Sequence, residues 1–470
     1  MQQTQVLVDD AAVQQLGMTF GGPLLRPGDS EYDSAREIFN GMYDHRPALI
    51  ARCGGVADVI AAVNFARDSG LEVAVKAGGH GVPGYASCDD GIVIDVSPMK
   101  GVFVDPKART ARAAGGVTWG EFDRETQAFG LATTGGRITT TGLAGLTLGS
   151  GSGWLERKFG FTVDNLLSVE LVTAAGEVVT ASETENPELF WGLRGGGGNF
   201  GIATSFEYRL HPVGPIVVGG LLGYPRERAP ELLRAWADHL REAPDELGSG
   251  FAFITAPPEE FVPEEVRGQP VCGVVVLYAG PVEEGEPVVQ RLRDALGPPA
   301  MDLAMPMPYL VVQQLLDAGN PPGRPQYWKS DTIREMTDDA VETLVEHASR
   351  IPSPTTAIVL EAKGGAIPRV PEDSMALIGR KPAFAFYGIA QWEEPGQADD
   401  HVRWARELAE AMEPHSGKDI ALNFVMDEGT ERVQSAFGPE KYARLVALKD
   451  RYDPGNLFSR NQNVKPSEGA

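Results

Sequence analysis

Residues 75–85, Val-Lys-Ala-Gly-Gly-His-Gly-Val-Pro-Gly-Tyr, put one histidine inside a glycine-rich turn directly after a strand-like stretch. Val73 and Val75 share the alternation that predicts a short strand over 72–77. Gly78, Gly79, Gly81 and Gly84 then supply backbone that approaches a ligand closely and leaves amide N–H groups free to hold an anion such as a pyrophosphate. On residue type alone His80 is open to four readings: metal ligand, general base, covalent attachment point or loop cap.

Two further glycine concentrations narrow the fold. The second covers 139–154 with Gly142, Gly145, Gly149, Gly151 and Gly153, and Arg157-Lys158-Phe159-Gly160 and Asp164-Asn165 follow it. The third runs from Arg194 through Gly195–Gly198, Asn199 and Gly201 to Ile202. Gly196-x-Gly198-x-x-Gly201 matches the dinucleotide fingerprint in letters. That fingerprint needs a strand before it and a helix after it, whereas here a helix over 187–191 precedes and a strand over 204–210 follows. A Rossmann unit is set aside on that mismatch. Around these loops the sequence predicts a helix over 56–66 stopped by Gly70, and strands over 46–50, 92–96, 102–104 and 110–114. It also predicts a helix capped by Thr118 with Glu121 three residues on, and a hairpin around Ala174-Ala175-Gly176.

From residue 217 to about 417 the glycine loops stop. Strands are predicted over 251–254, 271–278, 357–363 and 384–391, and helices over 230–240, 288–296, 339–349 and 401–412. This is an α+β pattern, a sheet covered by helices on one face and free on the other. At 470 residues the chain exceeds one ordinary core, so two domains are the expectation. The formal charge of -24 disfavours nucleic acid and anionic membrane surfaces as partners. Cys53, Cys88 and Cys272 have no metal spacing, and no metal site is expected; an odd, scattered set suits a reducing compartment. With no basic start or apolar segment over 1–15 and no apolar run of membrane-spanning length, the expectation is a cytoplasmic protein.

The motifs together resemble the berberine bridge enzyme-like branch of the vanillyl-alcohol oxidase / p-cresol methylhydroxylase (PCMH) flavoproteins. Four signatures fall in the family's order: Gly78-Gly79-His80, the 142–165 run, the 195–201 run, and the terminal Tyr452-Asp453-Pro454-x-Asn456-x-Phe458 with Asn461-x-Asn463. The resemblance implies a bipartite PCMH-type FAD-binding domain (1–213), an α+β substrate domain whose sheet roofs the flavin (214–417), and a C-terminal berberine bridge segment returning to the FAD domain (418–470). It implies FAD bound covalently through His80. It also carries Lys76, Ala77, Gly78, Gly79, Gly81, Gly84, Thr141, Gly142, Gly145, Gly149, Gly151, Gly153, Asn199, Gly201, Ile202, Asn461 and Asn463 over as cofactor-binding positions. Members with a second link have a cysteine four residues before Gly142; here Ile138 stands there, so one link is expected. Thr141 matches the position that controls oxygen access to the flavin, and a small residue there implies an oxidase.

The family's catalytic bases do not carry over, because Arg369 and Ala421 occupy their positions. On strand parity Val359, Glu361 and Lys363 share one face, which makes Glu361 a candidate base with Lys363 holding it ionised; the alternative is a solvated ion pair on the outer face. Tyr387 is the second candidate. Tyr327 and Trp328 resemble a family segment near the substrate cavity. The implied activity is hydride transfer from a carbon beside an alcohol or amine of a small molecule to FAD, with O2 reduced to hydrogen peroxide. A dehydrogenase with another acceptor, an oligosaccharide oxidase and a catalytically lapsed flavin carrier stay open, as does the choice between monomer and homodimer.

Overall fold

The computed structural model describes residues 8–259, 262–377, 379–418 and 421–468. The chain begins with a small sheet in which Leu49–Arg52, Ile92–Asp95 and Val73–Lys76 run parallel, edged by the antiparallel Leu24–Leu25. Leu49, Ile50, Ala51, Ile92, Val93 and Ile94 are completely buried, the continuous apolar signature of a sheet covered on both faces. The helix Val56–Ser69 makes one crossover and ends on Gly70 at φ 63°, a left-handed cap that glycine adopts without Cβ strain. A second, antiparallel sheet orders Val102–Asp105, Thr110–Ala114, Ile202–Arg209, Leu166–Val172 and Val178–Ser182. The helix Trp119–Gln127 carries the capping box of Thr118 and Glu121.

The largest sheet forms the other half. Its order is Met301–Asp302, Ile216–Pro225, Pro270–Tyr278, Leu247–Thr255, Ala357–Ala362, Phe384–Gln391 and Gln326–Ile333, with Met305–Pro308 also paired to Ile216–Pro225. The helices Ala229–Glu242, Val282–Leu296, Asp338–Ala348 and Ala398–Met412 cover one face, and Trp236, Leu344, Leu408 and Phe386 share that core. Parity decides what the other face shows. Ile358, Leu360 and Ala362 point into the helical core, so Val359, Glu361 and Lys363 point away from it.

Three differences from the sequence expectation have local causes. Ile216–Pro225 escapes a periodicity search because Gly219, Gly220 and Gly223 interrupt it, and Gln326–Ile333 because Lys329, Ser330 and Asp331 do. The first parallel strand begins at Leu49 rather than at Arg46, whose backbone is held instead by Asp89 at 2.7 Å. The tail contains two unforeseen helices, Thr430–Phe437 and Pro439–Tyr452; the second joins the helix Pro187–Leu193 through Arg444 and Glu188 at 2.7 and 2.8 Å.

The tail motif is explained by one buried pair. Asp453 accepts from Lys449 Nζ at 2.7 Å and from the amides of Leu457 and Phe458 at 2.7 and 2.9 Å. Lys449 also donates to the carbonyls of Asn199 and Phe458, which ties the tail to the third glycine run.

Candidate active site

The first two glycine runs press against each other. A Cβ on Gly142 would lie 2.5 Å from the Gly78 nitrogen, and one on Gly78 would lie 2.5 Å from the Gly142 Cα, so no side chain fits between them. This contact delivers the residues before Gly142 to the histidine. His80 Nε2 lies 2.9 Å from Thr140 Oγ1, and Nδ1 lies 3.4 Å from Thr141 Oγ1. Phe39 stacks on the imidazole with ring centroids 3.9 Å apart and planes 19° from parallel. Burial pushes the imidazole down to about 4, which leaves it neutral, with one ring nitrogen unprotonated, at neutral pH.

The free face of the large sheet supplies the charges. Glu361 and Lys363 are 6% and 7% exposed, so the solvated outer-face pair is excluded. Glu361 accepts from Tyr387 Oη at 2.8 Å and from Lys363 Nζ at 3.0 Å, and it pairs with Arg137 at 2.7 Å. Lys363 also donates to Glu156 at 2.8 Å and to Ser152 Oγ at 3.0 Å, so all three of its hydrogens are engaged. Arg137 reaches Glu156 at 3.3 Å, and the two cations and two anions balance. Burial would raise the Glu361 carboxyl, but Arg137 first and then Lys363 outweigh it and hold the group at about 2. The sequence reading credited Lys363 alone; Arg137 is the larger influence. Burial, and then the Glu361 charge, push the Tyr387 phenol well above its ordinary value, so it stays protonated.

One loop joins the two groups of residues. Arg137 precedes Thr140 by three residues, a span of at most about 11 Å of chain. The histidine and the carboxylate cluster therefore flank the same turn. Beside the cluster lies a recess into which Lys363, Ser152 and Tyr387 face, with Phe161 and Phe424 as aromatic walls. Another wall is the excursion between the strands Ala357–Ala362 and Phe384–Gln391, contributing Ile367, Met375 and Leu377. That excursion is pinned by Arg380 on Asp164 at 2.6 Å and by Lys441 on the carbonyls of Glu372, Met375 and Leu377. Phe424 meets Tyr387 edge-on at 4.8 Å, and Trp328 packs behind both.

Comparison with known proteins identifies the family. Residues 47–182 match the model of the FAD binding domain, and residues 418–465 match that of berberine and berberine-like proteins. An FAD-linked oxidoreductase of Dictyostelium discoideum is 31% identical over 95% of both chains. (R)-6-hydroxynicotine oxidase of Paenarthrobacter nicotinovorans is 32% identical over 96% of this chain and 98% of its own. The chain belongs to the berberine bridge enzyme-like FAD-linked oxidoreductases. The crystal structure of 6-hydroxy-D-nicotine oxidase from Arthrobacter nicotinovorans superposes with a TM-score of 0.85 at 31% identity, covering 96% of this chain and 99% of that one. Berberine bridge enzyme from Eschscholzia californica shares the fold at 0.85 with 21% identity, covering 98% and 100%. As in that family, the protein is an FAD-dependent oxidoreductase with a PCMH-type α+β architecture.

The residues present fit FAD. The buried side-chain oxygens of Asn461 and Asn463 have no partner among the described residues, and the backbone at Gly81, Gly145 and Gly198 borders open space. Other positions carried over from the family are engaged within the chain itself. Asn199 spends its amide on the carbonyls of Gly196 and Gln462 and its oxygen on the Val464 amide, and Lys76 donates to the carbonyls of Ala35 and Glu37. Gly84 abuts the Tyr43 ring, Gly149 the Asn423 amide, Gly151 Thr162 and Gly153 the Gly135 backbone. Ala77, Gly79, Gly201 and Ile202 belong to the loops and the strand end that frame them. Among the described residues no group of three or more His, Cys, Asp or Glu is placed to hold a metal ion.

Arg369, at the position of a family base, is exposed and pairs with Asp245, while Ala421 lines the recess and offers no proton acceptor in its side chain. The residues that sequence reasoning missed are Arg137, Ser152, Glu156 and Phe424. Ser152 lay inside the quoted glycine run and Glu156 immediately before Arg157-Lys158-Phe159-Gly160, so adjacency was a usable signal for those two.

Proposed function

We propose that this family member is an oxidase of small, largely apolar alcohols or amines, carrying FAD on His80 through a single covalent bond. The observation that carries the reading is the buried Glu361–Tyr387 pair, 2.8 Å apart, beside an apolar recess and across one short loop from His80. Oxidation of H–C–X–H to C=X, with X oxygen or nitrogen, removes one proton from X and one hydride from carbon. FAD, when bound, takes the hydride and passes its two electrons to O2, which leaves as hydrogen peroxide. The chain's part is the proton and the pose. Glu361 is ionised at any working pH, and Oε1, held by Arg137, is the oxygen assigned to accept the substrate X–H and receive its proton. Tyr387 and Lys363 hold Oε2 and fix the carboxylate plane.

The apolar walls Phe161, Phe424, Ile367, Met375 and Leu377 support a small substrate with rings or alkyl groups over a polyhydroxylated chain. The similarity to a 6-hydroxynicotine oxidase over nearly the whole chain supports a heterocyclic amine among the first candidates. The small side chain of Thr141, 3.4 Å from His80 Nδ1, supports an oxidase over a dehydrogenase. Three free cysteines, all buried, suit the cytoplasm as its compartment.

The test is the visible spectrum and intact mass of acid-precipitated wild type and His80→Ala, followed by oxygen uptake with a panel of amines, alcohols and sugars. A yellow wild-type pellet with one FAD mass, absent from the variant, supports attachment; flavin released from wild type by acid sinks it. Rapid flavin bleaching by substrate without oxygen, combined with slow recovery in air, would replace the oxidase by a dehydrogenase.

A further inference from the structure

We infer that Asp317, a residue of the substrate-binding half, is a positioning residue for FAD capture, acting through Thr139. The inference rests on the reading that His80 and the loop before Gly142 receive the flavin. Asp317 follows the helix Tyr309–Gln313 and accepts from the Thr139 amide at 2.9 Å with one oxygen and from the Thr139 hydroxyl at 2.5 Å with the other. Thr139 sits inside a turn closed by the Thr141 amide on the Ile138 carbonyl. Two residues before it is Arg137, bound to Glu361 and Glu156; immediately after it is Thr140, bound to His80. One carboxylate from the large-sheet half thus shares in fixing the turn that aims both groups, opposite the amides of Gly120 and Trp119, which hold the Thr139 and Thr141 carbonyls at 2.9 and 3.0 Å. A second tie runs alongside, from Gln313 Nε2 to Asp123 at 2.8 Å and to the Gly136 carbonyl at 3.4 Å.

The physical argument concerns freedom. A five-residue turn bordered by glycines has many conformations, and few of them place Thr140 at the imidazole and Arg137 at the carboxylates together. Two charge-assisted hydrogen bonds from a rigid neighbouring element select those few. The clamp joins segments 178 residues apart, so it forms only when the two halves are docked. Cofactor capture is thereby coupled to assembly of the substrate half.

The experiment compares wild type, Asp317→Ala, Asp317→Asn, Thr139→Val, Thr139→Ser and the control Asp302→Asn, which alters an acidic residue paired with Arg293 away from this loop. Apoprotein from riboflavin-starved cells is mixed with FAD. The rate of flavin uptake, the final flavin per protein and the thermal midpoint are read. Thr139→Val, which loses one charged hydrogen bond, is expected to slow uptake by about tenfold, Asp317→Ala, which loses two, by at least as much, and Asp317→Asn, which loses the charge, by less, while Thr139→Ser and Asp302→Asn keep the wild-type rate. Unchanged uptake in Asp317→Ala, whatever its thermal midpoint, overturns the inference, as does an equal loss in Asp302→Asn. If Asp317→Ala does not fold, Thr139→Val against Thr139→Ser decides in the same way. Acid stability of the wild-type flavin reports on the His80 linkage separately, because the variant-to-wild-type ratio is defined for bound flavin of either kind.

Discussion

Replacing Glu361 with glutamine should damage stability and turnover by separable amounts. The substitution keeps the shape but leaves Arg137 and Lys363 facing Glu156 alone, one uncompensated positive charge among buried groups. Breaking a buried pair of this kind costs about 3–5 kcal/mol. The proton linkage gives a similar figure. Glu361 is held at about 2 in the fold against 4.5 unperturbed, which is about 3 kcal/mol at 1.36 kcal/mol per unit. Because the folded value is the lower one, this contribution is complete above about pH 4.5 and disappears as the pH falls toward 2. Loss of the proton acceptor should slow substrate-driven flavin reduction by about 10²–10⁴-fold. The double variant Glu361→Gln/Lys363→Met restores charge balance, with Arg137 against Glu156. It should regain most of the urea midpoint and none of the rate. Anaerobic stopped-flow reduction with a substrate from the panel, alongside urea melts, separates the two. A double variant that reduces its flavin at the wild-type rate refutes Glu361 as the base, and a single variant as stable as wild type refutes the charge accounting.

Three further outcomes follow from other parts of the molecule. Burial raises the Asp123 carboxyl to about 7 from 3.8, so the fold prefers it protonated and loses stability as the pH climbs between those values, about 4 kcal/mol in the limit. Asp123→Asn should therefore melt increasingly above wild type from pH 5 to pH 8, and a constant gap would show that Asp123 does not titrate in this range. Gly142→Ala forces the first two glycine runs apart and should lower the thermal midpoint by the equivalent of about 1–3 kcal/mol, with loss of flavin. Gly145→Ala, where a Cβ meets open space, should leave the apoprotein midpoint unchanged while reducing FAD uptake, and normal uptake would remove Gly145 from the cofactor cradle.

How far the sequence reaches is shown by which residues it placed. The strand before His80, the cap at Gly70, the Thr118 box and the four helices over the large sheet were legible because each is a local pattern of spacing and end chemistry. Parity put Glu361 and Lys363 on one face, but burial against solvent is decided by what packs there. The partners come from residues 137, 152 and 156, more than 200 positions away, and no local pattern announces them. Asn199 shows the converse. Its place in a conspicuous glycine run suggested contact with the cofactor, yet its amide closes the seam between that run and the tail.

The arrangement also explains why the family's usual bases can be absent without emptying the site. Ala421 removes a side-chain acceptor from the segment beside Asn423, which itself stays anchored on the carbonyls of Gly145 and Leu146 at 3.0 and 3.3 Å. Arg369 turns outward to Asp245. On the proposed reading Glu361 is the acceptor instead, on the sheet, where a carboxylate alone would be pushed toward its neutral form by burial. Arg137 prevents that. It reaches Glu361 from the loop that also presents Thr140 to His80, so the charge state of Glu361 and the placement of the histidine depend on one turn. A loop change that frees Arg137 should raise the Glu361 pKa and disturb cofactor capture together, whereas Lys363→Met, which leaves the loop intact, should act on the Glu361 and Glu156 carboxylates and spare cofactor capture. Independent behaviour of the two readouts in loop variants would mean that His80 and Glu361 are positioned separately.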